Sequence, residues 1–346
     1  MSLCDAQVKF RNPGAHGNGA TLRELAQKSG RPVQEIACEL RAMMPDAEIS
    51  LFCAHEDLRT ISQDGPEALE LCAMRPGLWN ALAYEREWRT HPEYNNFMGP
   101  ESPVHHRKIY QGEIYARLLG PQIEKLDSCA RVLDLGAGVG RMVPHLARTG
   151  ARLDLADASE RALLHALGVL CGCGVRHFDL HWRDAHDLSC FEDGAFDLVM
   201  ALELLCYLDE PVRAVSELAR VCRPGGVVAY SVESKAGAIL GDPRLNAPDV
   251  DALLRSNQLT VPEYMLVNYH TADAAAALAV MAGLTVQFVA GCHYLADGPF
   301  DALVSEESLA DPLRRARTHE AEEMCRGHEW LRRLARAWFV TAQKPE

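Results

Sequence analysis

The sequence lacks the features that would place the protein in a membrane or outside the cell. Residues 1–20 contain no apolar core of a secretion signal. The most apolar stretch, residues 272–292, is interrupted by Asp273 and Gln287 and divided by Gly283, which predicts a helix and a short strand rather than a membrane span. A net charge of −13 opposes binding to phosphate backbones and anionic lipid. We therefore expect a cytoplasmic protein that binds neither membranes nor nucleic acids.

The cysteines lack the spacing of a structural zinc site. All 12 are scattered between Cys4 and Cys325, and only Cys171 and Cys173 are close, with one residue between them. Thiols without a secretion signal indicate a reducing compartment, so we predict ordinary buried thiols and no metal. Binding of a metalloid by Cys171 and Cys173 is the alternative.

The first of two predicted regions, residues 1–107, is mostly helical. Residues 21–44 resemble a helix–turn–helix with Gly30 in the turn, and residues 47–62 predict a short hairpin, which together suggest a winged-helix shape. Residues 91–106 are rich in Pro, Asn and His, which is typical of a linker or a binding loop. We interpret this region as a substrate cap or a homodimerisation region, with DNA binding as a further alternative.

The second region, residues 108–346, alternates strands with helices, which is typical of an α/β fold with a doubly wound, mostly parallel sheet. Several predicted strands are almost entirely apolar, as expected of a sheet covered on both faces. The predicted strands are residues 130–136, 151–157, 175–182, 196–203, 225–233, 284–291 and 337–344.

A glycine-rich turn follows the first of these strands. The segment VLDLGAGVGR, residues 132–141, ends a buried strand at glycines that allow a ligand to approach the backbone closely. A dinucleotide fingerprint would place glycine where Arg141 stands, and the phosphate-binding G-x-x-x-x-G-K-[ST] loop is missing. Asp134, just before the glycines, suits a cationic amino group better than a pyrophosphate.

Further polar residues follow later strands in a recognisable order. Asp157 ends the second strand, 21 residues after Gly136, where a carboxylate can accept hydrogen bonds from both ribose hydroxyls. Asp184 follows the third strand, where it can bind an adenine amine. A Pro-Gly-Gly turn at residues 224–226 leads into the fifth strand.

These segments together resemble the class I S-adenosylmethionine-dependent methyltransferases. The resemblance covers about residues 108–346 and rests on VLDLGAGVGR, LADASERAL, RDAHDL, FDLVMALELLCYL and RVCRPGGVVAYSVE, in that order. It implies a seven-stranded sheet whose last strand is antiparallel, S-adenosylmethionine as cofactor and S-adenosylhomocysteine as product. The cofactor-binding residues that it implies are Asp134, Gly136, Ala137, Gly138, Gly140, Asp157, Ala158, Asp184, Ala185, Ala201, Leu202 and Glu203.

The segment after the fourth strand departs from patterns known in small-molecule methyltransferases. Where E-x-L-x-H would place a histidine base, this chain has Tyr207, and in the plant O-methyltransferase pattern the base position is Leu205. We take Tyr207 and His270 as candidate catalytic residues, because an alcohol or phenol acceptor needs a base. Tyr207 can equally pack under the sheet, and His270 can equally cap the helix that follows it.

Substrate residues are expected in the cap and in loops at the carboxyl ends of the strands. The candidates are Tyr269, His293, His105 and His106, each of which can instead be an ordinary loop or core residue. Two segments extra to a minimal fold, residues 234–268 and 306–334, are candidate lids.

We therefore predict a methyltransferase that acts on a small molecule held under the N-terminal cap. A first alternative is a cofactor-binding regulatory module that contacts a partner through the helix–turn–helix. Others are a nicotinamide dehydrogenase, against which Arg141 argues, and a metalloid or thiol methyltransferase that uses the cysteines.

Overall fold

The structure is a computed structural model that describes residues 7–9, 26–27, 29–43, 48–50, 56–242, 245–260 and 266–346. Its centre is a mixed sheet with helices on both faces. The strands are β1 Gln7–Lys9, β2 Glu48–Ser50, β3 Arg131–Leu135, β4 Arg152–Asp157, β5 Phe178–Trp182, β6 Phe196–Ala201, β7 Cys222–Ser234, β8 Gln258–Thr260, β9 Leu266–His270, β10 Thr285–Cys292 and β11 Ala337–Gln343.

Helices cover the sheet and form the N-terminal region. They are α1 Val33–Met43, α2 Glu56–Gln63, α3 Pro66–Met74, α4 Trp79–Thr90, α5 Pro92–Asn95, α6 His105–Leu118, α7 Gly120–Ile123, α8 Val143–Leu146, α9 Glu160–Gly172, α10 Pro211–Val221, α11 Lys235–Gly241, α12 Ala247–Arg255, α13 Ala272–Met281, α14 Glu306–Ala310 and α15 Pro312–Gly327. In the described part of the chain, no helix combines the length and apolarity needed to span a bilayer.

Seven strands follow the order β5-β4-β3-β6-β7-β11-β10. The strands from β5 to β7 are parallel, and β11 is antiparallel to both β7 and β10. This arrangement confirms the predicted α/β sheet and its antiparallel last strand. The short strand β9 extends the sheet beside the end of β7, and β8 pairs with β9.

The parallel strands are buried on both faces because successive apolar side chains enter different cores. Val132 of β3 belongs to the core shared with α6, α9 and the N-terminal helices, whereas its neighbour Leu133 belongs to the core shared with α10 and α13. Val132 and Leu133 are each at most 1% exposed. The sheet therefore holds its carboxyl-end loops on a rigid base.

The described part of the N-terminal region as far as residue 104, called the cap below, contains helices α1–α5 and packs on the same core as β3. Leu58, Leu78 and Leu82 of the cap are buried in that core together with Val132. Helix α4 lies against the sheet domain through Trp88, whose ring stacks on His165 at a centroid distance of 5.2 Å.

The predicted hairpin at residues 47–62 is wrong. Strand β2 pairs with the distant strand β1, and residues 56–63 form α2. The helical pattern of Leu58 and Ile61, which are both buried, explains the difference. The second predicted helix of the helix–turn–helix is α1, and Gly30 has the positive φ of a turn residue. Most of the first predicted helix and most of residues 1–20 lie outside the described residues.

The two segments predicted as lids form helices and short strands. Residues 234–268 contribute α11, α12, β8 and the start of β9. Residues 306–334 form α14 and α15, which pack behind α6: the Glu306 carboxylate accepts hydrogen bonds from the backbone N–H of His106 and Arg107, and His319 pairs with Glu113 at 2.7 Å.

Candidate functional site

The loop that follows β3 is shaped by glycines with positive φ. Gly136 and Gly138 have φ values of 69° and 53°, in the left-handed region that glycine adopts without strain. The backbone N–H groups of Gly136 and Ala137 donate to the carbonyl of Ala156 in β4, which fixes the loop to the neighbouring strand. A β-carbon added at Gly138 would meet no atom within 4 Å, so this part of the loop borders open space.

Asp157 at the end of β4 is held in place by backbone donors. One carboxylate oxygen accepts from the Gly138 N–H at 2.8 Å, and the other accepts from the Ser159 N–H at 2.8 Å. Burial raises the pKa of Asp157 to about 6, against the opposing effect of these hydrogen bonds. Its carboxylate is therefore the main form at neutral pH and becomes neutral under mildly acidic conditions.

Asp184 follows β5 on the same edge of the sheet. Its carboxylate accepts from both the backbone N–H and the ring Nδ1 of His186. Burial raises the pKa of Asp184, but the hydrogen bonds from His186 outweigh burial and hold the pKa below its usual value. Asp184 therefore stays ionised and available as an acceptor.

The loop, both carboxylates and the cap enclose one cavity of about 490 Å³. Its walls come from the carboxyl ends of β3, β4, β5 and β6 on one side and from α2, α4 and residues 94–104 on the other. The predicted site residues among its lining are Gly136, Ala137, Gly138, Asp157, Ala158, Asp184, Ala185, Leu202, Glu203 and Tyr207.

Three predicted cofactor residues lie behind this wall. Asp134 is 4% exposed within β3, and burial raises its pKa to about 7. A β-carbon at Gly140 would come within 3.1 Å of Val143 and 3.4 Å of Ala166, and Ala201 is fully buried in β6. In this structure these residues support the loop and the strand ends, and they do not line the cavity.

Aromatic side chains, called the aromatic wall below, and one ion pair form a further part of the cavity lining. Tyr84 and Tyr207 line the cavity, and burial raises the pKa of both, so both hydroxyls are neutral hydrogen-bond donors at physiological pH. Phe97 lies beside them. Lys108 pairs with Asp297 at 3.1 Å, and both side chains line the cavity.

Glu203 is the anionic centre of a network beneath the aromatic wall. Its carboxylate pairs with Arg141 at 3.1 Å and with Arg336 at 3.4 Å, and it accepts from the Tyr115 hydroxyl at 3.2 Å. Burial raises the pKa of Glu203, but the surrounding cations, Arg141 foremost, outweigh burial and hold the pKa well below its ordinary value. Glu203 is therefore a weak base that orders neighbouring cations.

Backbone strain is concentrated at this network. Among the described residues, four non-glycine residues have positive φ, and three of them, Glu203, His293 and Asp297, lie here. Such a conformation costs roughly 1–2 kcal/mol per residue. Strain of this kind persists where the surroundings impose it and is typical of functional sites.

The predicted histidines do not line the cavity. His293 is fully buried against Tyr115, and burial lowers its pKa to about 3, so its ring is neutral. Tyr269 and His270 are buried on β9, and Thr271, not His270, caps α13. His105 and His106 begin α6.

His105 and His106 differ in their contacts. The ring of His105 contacts the carbonyl of Phe97, a cavity residue, at 3.0 Å. His106 uses its backbone N–H to bind Glu306. These positions leave Tyr207 as the candidate catalytic residue that touches the cavity.

Several cavity residues were not predicted from the sequence. Tyr84, Phe97, Lys108 and Asp297 come from parts of the chain with no recognisable motif. The composition of residues 91–106, which allowed a binding loop, was the one signal for Phe97. Asp297 follows β10 and reaches the cavity only because the fold brings its loop against α6.

The comparisons with known proteins place residues 133–230 in a family of methyltransferase domains. A ubiquinone biosynthesis O-methyltransferase of Aromatoleum aromaticum is 36% identical over 101 residues, which are 29% of this chain and 43% of that protein. A phosphatidylethanolamine N-methyltransferase of Cereibacter sphaeroides is 38% identical over 99 residues, 28% of this chain and 48% of that protein. The chain spans about half the length of these curated relatives.

Solved structures were also matched. A 1,6-didemethyltoxoflavin-N1-methyltransferase of Burkholderia thailandensis has a TM-score of 0.44 and 14% identity, covering 86% of this chain and 93% of that chain. An S-adenosylmethionine-dependent methyltransferase of Mesorhizobium loti has a TM-score of 0.45 and 19% identity, and the match covers 65% of this chain and 97% of that chain. The stretch of the chain that matches the methyltransferase-domain family, residues 133–230, contains the glycine loop, Asp157, Asp184 and Glu203 of the cavity described above.

Proposed function

We propose that the chain transfers a methyl group from S-adenosylmethionine to a small molecule held between the cap and the carboxyl edge of the sheet. The observation that carries this proposal is the shared cavity, in which Gly138 and Asp157 form one wall and the cap residues Tyr84 and Phe97 form another. A cofactor wall and an acceptor wall that face each other are what methyl transfer needs, since aligned reactants lower its barrier by about 7–11 kcal/mol.

The residues present fit the cofactor. Gly138 leaves open space beside the loop, Asp157 offers a carboxylate for ribose hydroxyls, and Asp184 offers one for the adenine amine. Bound S-adenosylmethionine supplies a methyl group on a cationic sulfur. The chain contributes the enclosure, and the neutral Tyr207 hydroxyl can donate a hydrogen bond to an acceptor in the cavity.

The volume and position of the cavity favour a small acceptor. A cavity of about 490 Å³ lies within the usual range for small-molecule sites. The cysteine-based alternative loses support, because Cys171 is bonded to Cys38 and neither Cys171 nor the exposed Cys173 lines this cavity.

The test is calorimetric titration with S-adenosylhomocysteine on the wild type and on Asp157→Ala. We expect one-site binding to the wild type and a loss of roughly 1–3 kcal/mol in the variant. NAD(H) in the same experiment is the control for the dehydrogenase alternative. Saturable NAD(H) binding with no response to S-adenosylhomocysteine would refute the proposal, and the expected result would justify screening acceptors with a labelled methyl donor.

A further inference from the structure

A disulfide connects the cap to the sheet domain. Cys38 in α1 is bonded to Cys171 in α9, across 133 residues of sequence, with a Cα–Cα distance of 5.3 Å that suits such a bond. The sequence reasoning predicted ordinary buried thiols at Cys171 and Cys173, so this bond is unexpected. Only Cys173 of that pair is free, and it is exposed.

The other cysteines indicate a reducing environment. Among the residues that the structure describes, eight cysteines are free thiols, and Cys129, Cys173 and Cys190 are exposed. Accessible thiols of this kind would pair or react in an oxidising compartment. Cys38 and Cys171 are both partly exposed, so small thiols can reach their bond.

The two bonded helices lie on opposite sides of the contact that closes the cavity. Ile36 and Ala37 of α1 share a core with the cap residues Leu58 and Leu78, which line the cavity. Helix α9 begins directly after the cavity residues Asp157 and Ala158. A bond between α1 and α9 therefore restrains the cap relative to the ribose side of the cavity.

Besides the disulfide, α1 contacts the sheet domain through packed side chains and one hydrogen bond. Its Ile36 and Ala37 are buried in the core that also contains Leu163 of α9. The Gln34 side chain donates to the carbonyl of Phe178 at 3.0 Å, which is a single neutral hydrogen bond. Helix α4 makes separate contacts with α9. The Trp88 ring stacks on His165, and Glu85 forms an ion pair with Arg161 at 3.5 Å. The disulfide is the covalent part of the contact between α1 and α9, so its loss leaves α1 held by apolar packing and the Gln34 hydrogen bond alone.

From these observations we propose that Cys38 and Cys171 form a reversible redox site that fastens the cap over the cofactor cavity. Oxidation removes two electrons and two protons from the two thiols. A low-molecular-weight disulfide accepts them and is released as two thiols, through a mixed disulfide on one of the cysteines. Reduction by a dithiol reverses the reaction. The functional half of this proposal, slower cofactor exchange in the oxidised form, rests on the proposed function.

The first test needs no ligand. Hydrogen exchange of α1 amides is compared between protein oxidised with oxidised glutathione and protein reduced with dithiothreitol, with the disulfide confirmed by peptide mass mapping. We expect about tenfold faster exchange in α1 after reduction. Cys38→Ser should exchange fast in both conditions, whereas the matched control Cys173→Ser should behave as the wild type.

The second test measures the consequence for the cavity. S-adenosylhomocysteine should dissociate about fivefold faster from the reduced than from the oxidised wild type, with the same pattern among the variants. Equal α1 exchange in both redox states, or no bond after oxidation, would overturn the redox site. Equal dissociation rates would overturn its coupling to the cavity. Absence of S-adenosylhomocysteine binding in both states would instead count against the proposed function, while the exchange measurement still decides the redox site.

Discussion

Gly138 combines a backbone requirement with a position beside the cavity. Its φ of 53° strains any larger residue by roughly 1–2 kcal/mol, and its missing side chain would project into open space. In Gly138→Val the added atoms occupy space that the cofactor needs, so we expect affinity for S-adenosylhomocysteine to fall by roughly 100-fold or more, with the fold retained. Calorimetric titration and thermal unfolding measure the two effects.

Gly174 provides the matched control for that substitution. Its φ is 68°, a side chain there would also meet no atom within 4 Å, and it is exposed and absent from the cavity lining. Gly174→Val should therefore lower the melting temperature to a similar extent and leave affinity unchanged. Equal loss of affinity in both variants would mean that backbone strain, not occupied space, explains the result at Gly138.

Asp157 makes cofactor binding and stability respond to pH in opposite directions. Its pKa is about 6 in the folded protein and 3.8 in the unfolded chain. The folded state therefore binds the Asp157 proton more tightly than the unfolded chain does. As the pH falls from 6 towards 4, the contribution of Asp157 to the free energy of unfolding becomes less unfavourable. The ribose needs the carboxylate form, so affinity for S-adenosylhomocysteine should fall by about tenfold between pH 7.5 and 5.0.

Asp157→Asn separates these effects. We expect weaker binding at pH 7.5, by roughly 1–3 kcal/mol, and a shallower dependence of affinity on pH. Titrations at four pH values, each with a thermal melt of the unliganded protein, provide the measurement. An unchanged pH dependence in the variant would assign the titration to another group, of which Asp134, with a pKa of about 7, is the first candidate.

Local sequence indicated residues on the cofactor side of the cavity, Glu203 among them, but not the charged partners that hold Glu203 in place. Gly138 and Asp157 sit at fixed distances from predicted strand ends, and a strand end is a place that periodicity locates well. The partners of Glu203 are Arg141 and Arg336, which lie 62 and 133 residues away. No spacing rule connects such residues, because only the sheet order brings them together.

At the scale of elements, one side chain of α4, Asn80, hydrogen-bonds to two segments of the sheet domain. The Asn80 amide donates to the carbonyls of Tyr207 and Leu266, and its oxygen accepts from the Leu266 N–H at 2.8 Å. Asn80→Ala should lower the free energy of unfolding by roughly 1–3 kcal/mol, because it leaves these partly buried groups without a partner. Urea denaturation measures the loss.

The control for Asn80 lies on the same helix. Thr90 is exposed at the end of α4, and its hydroxyl donates only to carbonyls of its own helix. Thr90→Ala should change stability by less than about 0.5 kcal/mol. S-adenosylhomocysteine should also dissociate faster from Asn80→Ala, since the freed helix carries the cavity residue Tyr84. Identical behaviour of both variants would show that Asn80 does not hold the cap.

Strands were predicted more accurately than cap elements for a physical reason. Strand β11 runs from residue 337 to 343, against a prediction of 337–344, because a buried strand that is mostly apolar and bounded by polar residues is recognisable in the sequence. Helix α2 was missed because its eight residues span only about two turns, too few for a clear helical period. Strand β9 is short and includes Asn268 and His270, and its pairing with β7 depends on contacts that a local pattern does not contain.

At the scale of the whole molecule, Arg336 joins three strands through buried charges. It stands just before β11, pairs with Glu233 of β7 at 2.7 Å, and pairs with Glu203 after β6 at 3.4 Å. Its side chain is 17% exposed. Burial already raises the pKa of Glu233, and Arg336 opposes that rise. Removal of the Arg336 cation therefore leaves the largely buried carboxylates of Glu203 and Glu233 with too little positive charge nearby to offset the cost of their burial.

Arg336→Met should lower the free energy of unfolding at pH 7.5 by roughly 3–5 kcal/mol, the usual result of breaking one side of a buried pair. The loss should be smaller at pH 5. Without Arg336 the pKa of Glu233 in the folded protein rises further above its value in the unfolded chain. A carboxyl group with such a raised pKa destabilises the fold less once it takes up a proton. Arg333→Met, on an exposed residue nearby, is the control and should have little effect. Urea denaturation at both pH values measures the free energy of unfolding. An equal loss at pH 7.5 and pH 5 would show that the strand ends are held by packing of the arginine methylene groups and not by the arginine charge.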